Sequence, residues 1–94
     1  MRKWHLVSYD IRDEARLRRV ARLIEGYGER IQYSVFRCRL DPVELERLRW
    51  ELARVTESAD DLLIIPLCQH CSSGVRDTAA RQHWDQEWPT FQIV

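Results

Sequence analysis

Residues 30–40 read Arg30-Ile31-Gln32-Tyr33-Ser34-Val35-Phe36-Arg37-Cys38-Arg39-Leu40. The stretch is extended in character. Gln32, Ser34, Phe36, Cys38 and Leu40 fall on one face, and Ile31, Tyr33, Val35, Arg37 and Arg39 on the other. No Asn-Gly or Asp-Gly marks a hairpin inside it. One bent strand, or two short strands broken near Ser34, both fit. What lies on either side decides which fold this stretch belongs to.

Upstream, residues 3–11 read as a strand rich in β-branched and aromatic side chains. Asp10 falls near its C-terminal end, where chains often leave a sheet into a site-bearing loop. Asp13 is a plausible N-cap for a helix over about 14–27. At about 100° per residue, Leu17, Val20, Ile24 and Tyr27 share one side of it. Arg18, Arg19 and Arg22 fall on the outer side. Arg16 lies at the margin of the apolar stripe, in the first turn, where it could face the same corner as Asp10. Gly26 and Gly28 supply stop and turn chemistry.

Downstream, Asp41-Pro42 followed by Glu44 has the form of a capping box with Pro at the first helical position. Leu45, Leu48, Leu52 and Val55 form an amphipathic stripe, so this helix should reach about Glu57. Ser58 to Asp61 makes a turn. Leu62-Leu63-Ile64-Ile65-Pro66-Leu67 is a continuous apolar run, which predicts a central strand buried on both faces. Pro66 lies near its end, where a missing N–H does least harm.

The order is strand, helix, extended stretch, helix, strand. It predicts an α+β fold, a ferredoxin-like βαββαβ sandwich with two helices on one face of an antiparallel sheet. Residues 1–68 form the core of this reading and 69–94 a tail. In a chain of 94 residues the uncovered sheet face is a natural surface for a homodimer. The tail is polar and broken, carries Trp84 and Trp88, and ends in Phe91-Gln92-Ile93-Val94, an extra C-terminal strand. Such a strand can dock on a neighbouring sheet edge or fold back on its own domain.

Composition narrows the function classes. The formal net charge is zero, so no global polycation announces a nucleic-acid binder. The distribution is uneven. Residues 1–54 hold 13 basic and 9 acidic side chains, and residues 55–94 hold 2 and 6. Lys3 is the only lysine; the other basic residues are Arg, whose planar fork suits phosphate. Genome base composition would also account for so much Arg. No apolar run approaches the roughly 20 residues of a membrane span. No long apolar segment follows Met1 as in a signal peptide. The three cysteines are an odd number and do not read as a disulfide framework. A cytoplasmic protein is expected.

Few residues carry chemistry. Asp10 at a strand mouth can hold a hard divalent cation, since magnesium usually needs one or two carboxylates plus water and phosphate. By chemistry alone such an Asp is more often a cap or turn former. The Arg residues of the first helix can track a phosphate backbone or form pairs such as Arg18 with Glu14 and Arg22 with Glu25. Ser34 has no His or Lys at motif spacing and does not read as a nucleophile. Tyr9 and Phe36 read as packing residues. Cys68-Gln69-His70-Cys71 is half of a zinc site without a second pair at the usual spacing. A thioredoxin-like redox role lacks the surrounding fold pattern.

Three motifs then point the same way. Tyr9-Asp10-Ile11 ends the first strand. Tyr27-Gly28-x-Arg30-Ile31-Gln32 forms a bend. Ser34-Val35-Phe36 opens the next strand. In this order and spacing the chain resembles, over residues 1–68, the small CRISPR-associated proteins of the second Cas family. The resemblance implies a homodimer whose C-terminal segment crosses to the partner subunit. It implies Asp10 as the catalytic residue and magnesium ligand, and Arg16, Arg19 and Arg30 as nucleic-acid contacts. Two roles follow from it: a magnesium-dependent endonuclease on RNA or DNA, or a non-catalytic scaffold. The scaffold would bridge copies of the Cas integrase, the first family in that system, and bind DNA during spacer acquisition. A third reading, independent of the family, is a ferredoxin-like dimer that regulates or binds a small ligand.

Overall fold

The computed structural model describes residues 1–76 together with Thr78 and Trp84. β1 spans Lys3–Asp10. Its alternation is clean: His5, Val7 and Tyr9 are buried, while Trp4, Leu6 and Ser8 point to the other face. α1 spans Glu14–Glu25. Asp13 caps it, with Oδ2 accepting from the Arg16 N–H at 2.9 Å. The helix ends about two residues before the expected boundary, because Gly26 N–H already turns back to Leu23 O.

The 30–40 stretch is two strands. β2 spans Gly28–Gln32 and β3 Val35–Leu40. They pair antiparallel around a turn at Tyr33-Ser34, with an irregularity between Arg30 and Gln32. The turn lacks the usual Asn-Gly and is held from outside. Tyr33 O accepts from the Tyr9 hydroxyl at 3.4 Å and from Arg30 Nη1 at 3.3 Å, and Ser34 O accepts from Tyr9 N–H at 3.1 Å.

α2 spans Pro42–Val55. Its capping box is complete: Glu44 N–H donates to Asp41 Oδ1 at 2.7 Å and Asp41 N–H donates to Glu44 Oε1 at 2.9 Å. β4 spans Asp61–Leu67, and a short α3, Gln69–Ser73, follows. The sheet order is β2-β3-β1-β4, every pair antiparallel. This is the expected ferredoxin-like sandwich. Val7, Val20, Ile24, Phe36, Leu48 and Leu52 are essentially inaccessible between the helices and one sheet face.

One expectation is corrected. β4 is an edge strand, not a central one. Leu62 and Ile64 reach towards the core, but Leu63 and Ile65 are 57 % and 40 % exposed on the other face. An unbroken apolar run reads as buried on both sides, yet only one side has helices to cover it. Pro66, without an N–H, suits an edge.

The open sheet face is partly covered by Trp84. Trp84 is buried there. Its ring lies 5.4 Å from that of Trp4, and the Arg37 guanidinium lies 4.7 Å from the Trp4 ring and 4.6 Å from the Trp84 ring. At Trp84, therefore, the tail rests on its own sheet. The predicted strand at 91–94 lies outside the described residues.

Candidate metal and nucleic-acid site

Strand direction brings one end of every layer together. The C-terminus of β1, the β2–β3 turn, the first turn of α1 and the start of β4 all meet there. Asp10 is the last residue of β1 and is exposed. Its side chain makes no hydrogen bond or ion pair among the described residues. Its neighbours are fixed firmly: Tyr9 and Ile11 on either side are buried. Directly opposite Asp10 in the β1–β4 ladder stands Asp61. Two like charges facing each other across an antiparallel pair are unfavourable unless a cation lies between them. Sequence reading did not single out Asp61; only the register reveals it.

Hard oxygen donors in this number fit magnesium, which keeps most of its water and takes one or two carboxylates. Among the described residues no three His, Cys, Asp or Glu side chains converge as a metal cluster. Asp10 and Asp61 would by themselves give such an ion only two carboxylates.

Arg16 has another occupation. Its Nε and Nη2 donate to Asp60 at 2.9 and 3.0 Å, and Nη1 lies 2.6 Å from Glu57 Oε2. The Asp60 side chain is 1 % exposed and also accepts from Glu57 N–H at 2.9 Å. The Arg16 hydrogen bonds hold the Asp60 carboxyl below the ordinary carboxylate range. This bidentate clasp pins the first turn of α1 to the α2–β4 turn. Sequence placed Arg16 in this corner but could not show that its fork is filled by carboxylates.

Arg18, Arg19 and Arg22 are exposed on the outer face of α1. None of them forms an ion pair among the described residues, so the pairings with Glu14 and Glu25 that their spacing allows are not made. Arg30 is exposed as well. Its guanidinium lies 5.1 Å from the Phe36 ring and 3.6 Å from Glu25. It sits beside Tyr9, whose hydroxyl burial pushes its pKa up, the nearby Arg30 charge opposing. Asp10 and Arg30 thus share one end of the sheet, and Arg19 lies on the adjoining helix. Arg37 is not a surface cation: its side chain is 8 % exposed and its Nε donates to Glu29 Oε1 at 2.7 Å.

The profile of the family described as CRISPR associated protein Cas2 matches residues 1–75. The chain belongs to the Cas2 family. It is 46 % identical over 71 residues to a CRISPR-associated endoribonuclease Cas2 of Archaeoglobus fulgidus, covering 73 % of this chain and 76 % of that one. It is 50 % identical over 68 residues to one from Thermodesulfovibrio yellowstonii, covering 71 % and 75 %. Among solved structures it resembles Streptococcus pyogenes Cas2, with a TM-score of 0.70 and 32 % identity over 78 % of this chain and 95 % of that one. A chain of a partial Cas6-RT-Cas1–Cas2 complex shares the fold, with a TM-score of 0.71 at 21 % identity over 82 % and 91 % of the two chains. The family match ends at residue 75, so Trp84 and the residues around it lie beyond it.

Proposed function

We propose that the chain is a CRISPR adaptation protein, working as a homodimer, and a magnesium-dependent endonuclease on RNA or DNA. The observation that carries the reading is Asp10: an exposed carboxylate, free of partners among the described residues, at the end of β1 and opposite Asp61, in a chain of the Cas2 family. Relatives named as endoribonucleases support the chemistry. Asp10 would hold magnesium, with Asp61 beside it and a second Asp10 from the partner copy. The bound ion would supply an activated water and offset the charge that builds on a scissile phosphate. Arg19 and Arg30 would hold phosphates, giving affinity without sequence readout. Arg16 would act mainly by fixing the corner in which they stand.

A second reading is a non-catalytic scaffold that binds DNA and bridges the Cas integrase, the first Cas family. One observation favours it: the fold is shared with a chain of a complex that contains Cas1. The deciding experiment is a cleavage assay on single- and double-stranded DNA and RNA, with magnesium or chelator, for wild type and Asp10→Ala. Metal-dependent cleavage lost in Asp10→Ala, with fold and dimer intact, is the expected outcome. Cleavage that survives the substitution removes Asp10 from the chemistry. Absence of cleavage, with integrase binding retained in both proteins, establishes the scaffold.

A further inference from the structure

The three cysteines occupy two different environments. Cys38 is inaccessible in the core, and burial pushes its thiol up to about 12. Cys68 and Cys71 are both exposed and free. They flank the first turn of α3, immediately after β4. Cys71 N–H points at Cys68 Sγ, 3.4 Å away. Among the described residues no third His, Cys, Asp or Glu side chain joins them to make a metal cluster.

We propose that Cys68 and Cys71 are a redox-active dithiol, with Cys68 the attacking sulfur and Cys71 the resolving one, whose substrate class is a low-molecular-weight disulfide. The Cys71 amide, first, and its thiol next, favour the Cys68 thiolate and lower its pKa. Hydrogen bonding to Cys68 in turn raises Cys71. The asymmetry assigns the order of events. The Cys68 thiolate attacks one sulfur of the small disulfide. That S–S bond breaks, a protein mixed disulfide forms, and the first small thiolate leaves and takes a proton from solvent. Cys71 then loses its proton to solvent and attacks the Cys68 sulfur. The mixed disulfide breaks, and the second small thiolate leaves and takes from solvent a proton equivalent to the one Cys68 released on ionising. The protein has lost two electrons and two protons, and the small disulfide is reduced to two thiols. Cysteines three residues apart in a helical turn need little movement to meet disulfide geometry. The pair stands where the core hands over to the tail, so the bond would lock that junction. None of this depends on Asp10 or on nucleic acid.

The test begins with alkylation of the folded protein by iodoacetamide at neutral pH, read residue by residue by mass spectrometry. Cys68 is expected to react about tenfold faster than Cys71 or more, with Cys38 protected. Glutathione disulfide is then added under chelator. The wild type should end as an intramolecular Cys68–Cys71 disulfide. Cys71→Ser should remain glutathionylated at Cys68, and Cys68→Ser should react little. Equal alkylation rates for the two exposed thiols, or thiols left free by glutathione disulfide, would overturn the proposal. So would bridges formed only between molecules. Circular dichroism of each variant identifies any that fails to fold, and the wild-type alkylation pattern decides without variants.

Discussion

His5 is the residue whose environment has the clearest consequence for stability. It stands on the core face of β1 opposite Cys38, 4 % exposed, with Nδ1 2.9 Å from Lys3 O. Burial lowers its pKa below 6.5, and the neighbouring carbonyl opposes only part of that effect. The sign of the pH effect follows. The unfolded chain takes up a proton near pH 6.5 and the folded one only at lower pH. The contribution is therefore complete above the unfolded pKa and is lost as pH falls from about 6.5 towards the folded value. Urea unfolding between pH 7.5 and 5 should show stability declining on the acid side. His5→Phe should flatten that decline, and an unchanged slope would show that the proton is taken up elsewhere. Sequence did not mark His5, because a lone His in a strand carries no sign of which face it occupies until the register is known.

At the scale of the element, the β2–β3 hairpin rests on a close approach. A Cβ on Gly28 would lie 2.1 Å from Arg37 O and 2.6 Å from Cys38 Sγ. Neither the β3 backbone nor a fully buried sulfur can move away cheaply. Gly28→Ala should destabilise the protein by roughly 1–3 kcal/mol or more, as overpacking does, read as a lower denaturant midpoint. A change within a few tenths would mean that the two strands separate easily. The same hairpin marks a limit of reading by pattern. α1 and α2 were legible because their caps are local: Asp13 and Asp41 act on residues within one turn, whereas the short α3 was read as part of a broken tail. The Tyr33-Ser34 turn was not legible, because Tyr9 and Arg30 hold it through tertiary contacts. β4 was misread for the related reason that a run of Leu and Ile records hydrophobicity but not which partners are present.

For the whole molecule, the exposed apolar side of β4 matters most. Leu63 and Ile65 continue the open sheet face beyond the part that Trp84 covers. In a homodimer this side should be shielded. Leu63→Lys should weaken the proposed dimer about tenfold or more, since burying one such side chain stabilises by about 1.5–3 kcal/mol. Sedimentation equilibrium across a concentration series measures it. A dissociation constant that does not change would place the dimer contact elsewhere. The overall architecture was legible from element order alone, because few ways exist to cover one sheet with two helices. The candidate site was legible only in part. The strand end alone left Asp10 more readily a cap or turn former, and only the family resemblance singled it out as a ligand. Asp61 needed the ladder register, and the clasp of Arg16 on Asp60 needed the meeting of segments 44 residues apart.

The placement of Asp10 also bears on how such a protein can change over generations. Its side chain is exposed at a strand end, and the buried neighbours Tyr9 and Ile11 hold the backbone whatever residue stands between them. Substitution there leaves the hydrophobic interior, the caps and the strand ladder untouched. On the proposed reading, in which Asp10 holds the metal, catalytic competence and foldability are therefore separate inheritances in this architecture. A lineage can shed the first by one codon and keep an intact building block for assembly, and selection for assembly alone would not notice the loss.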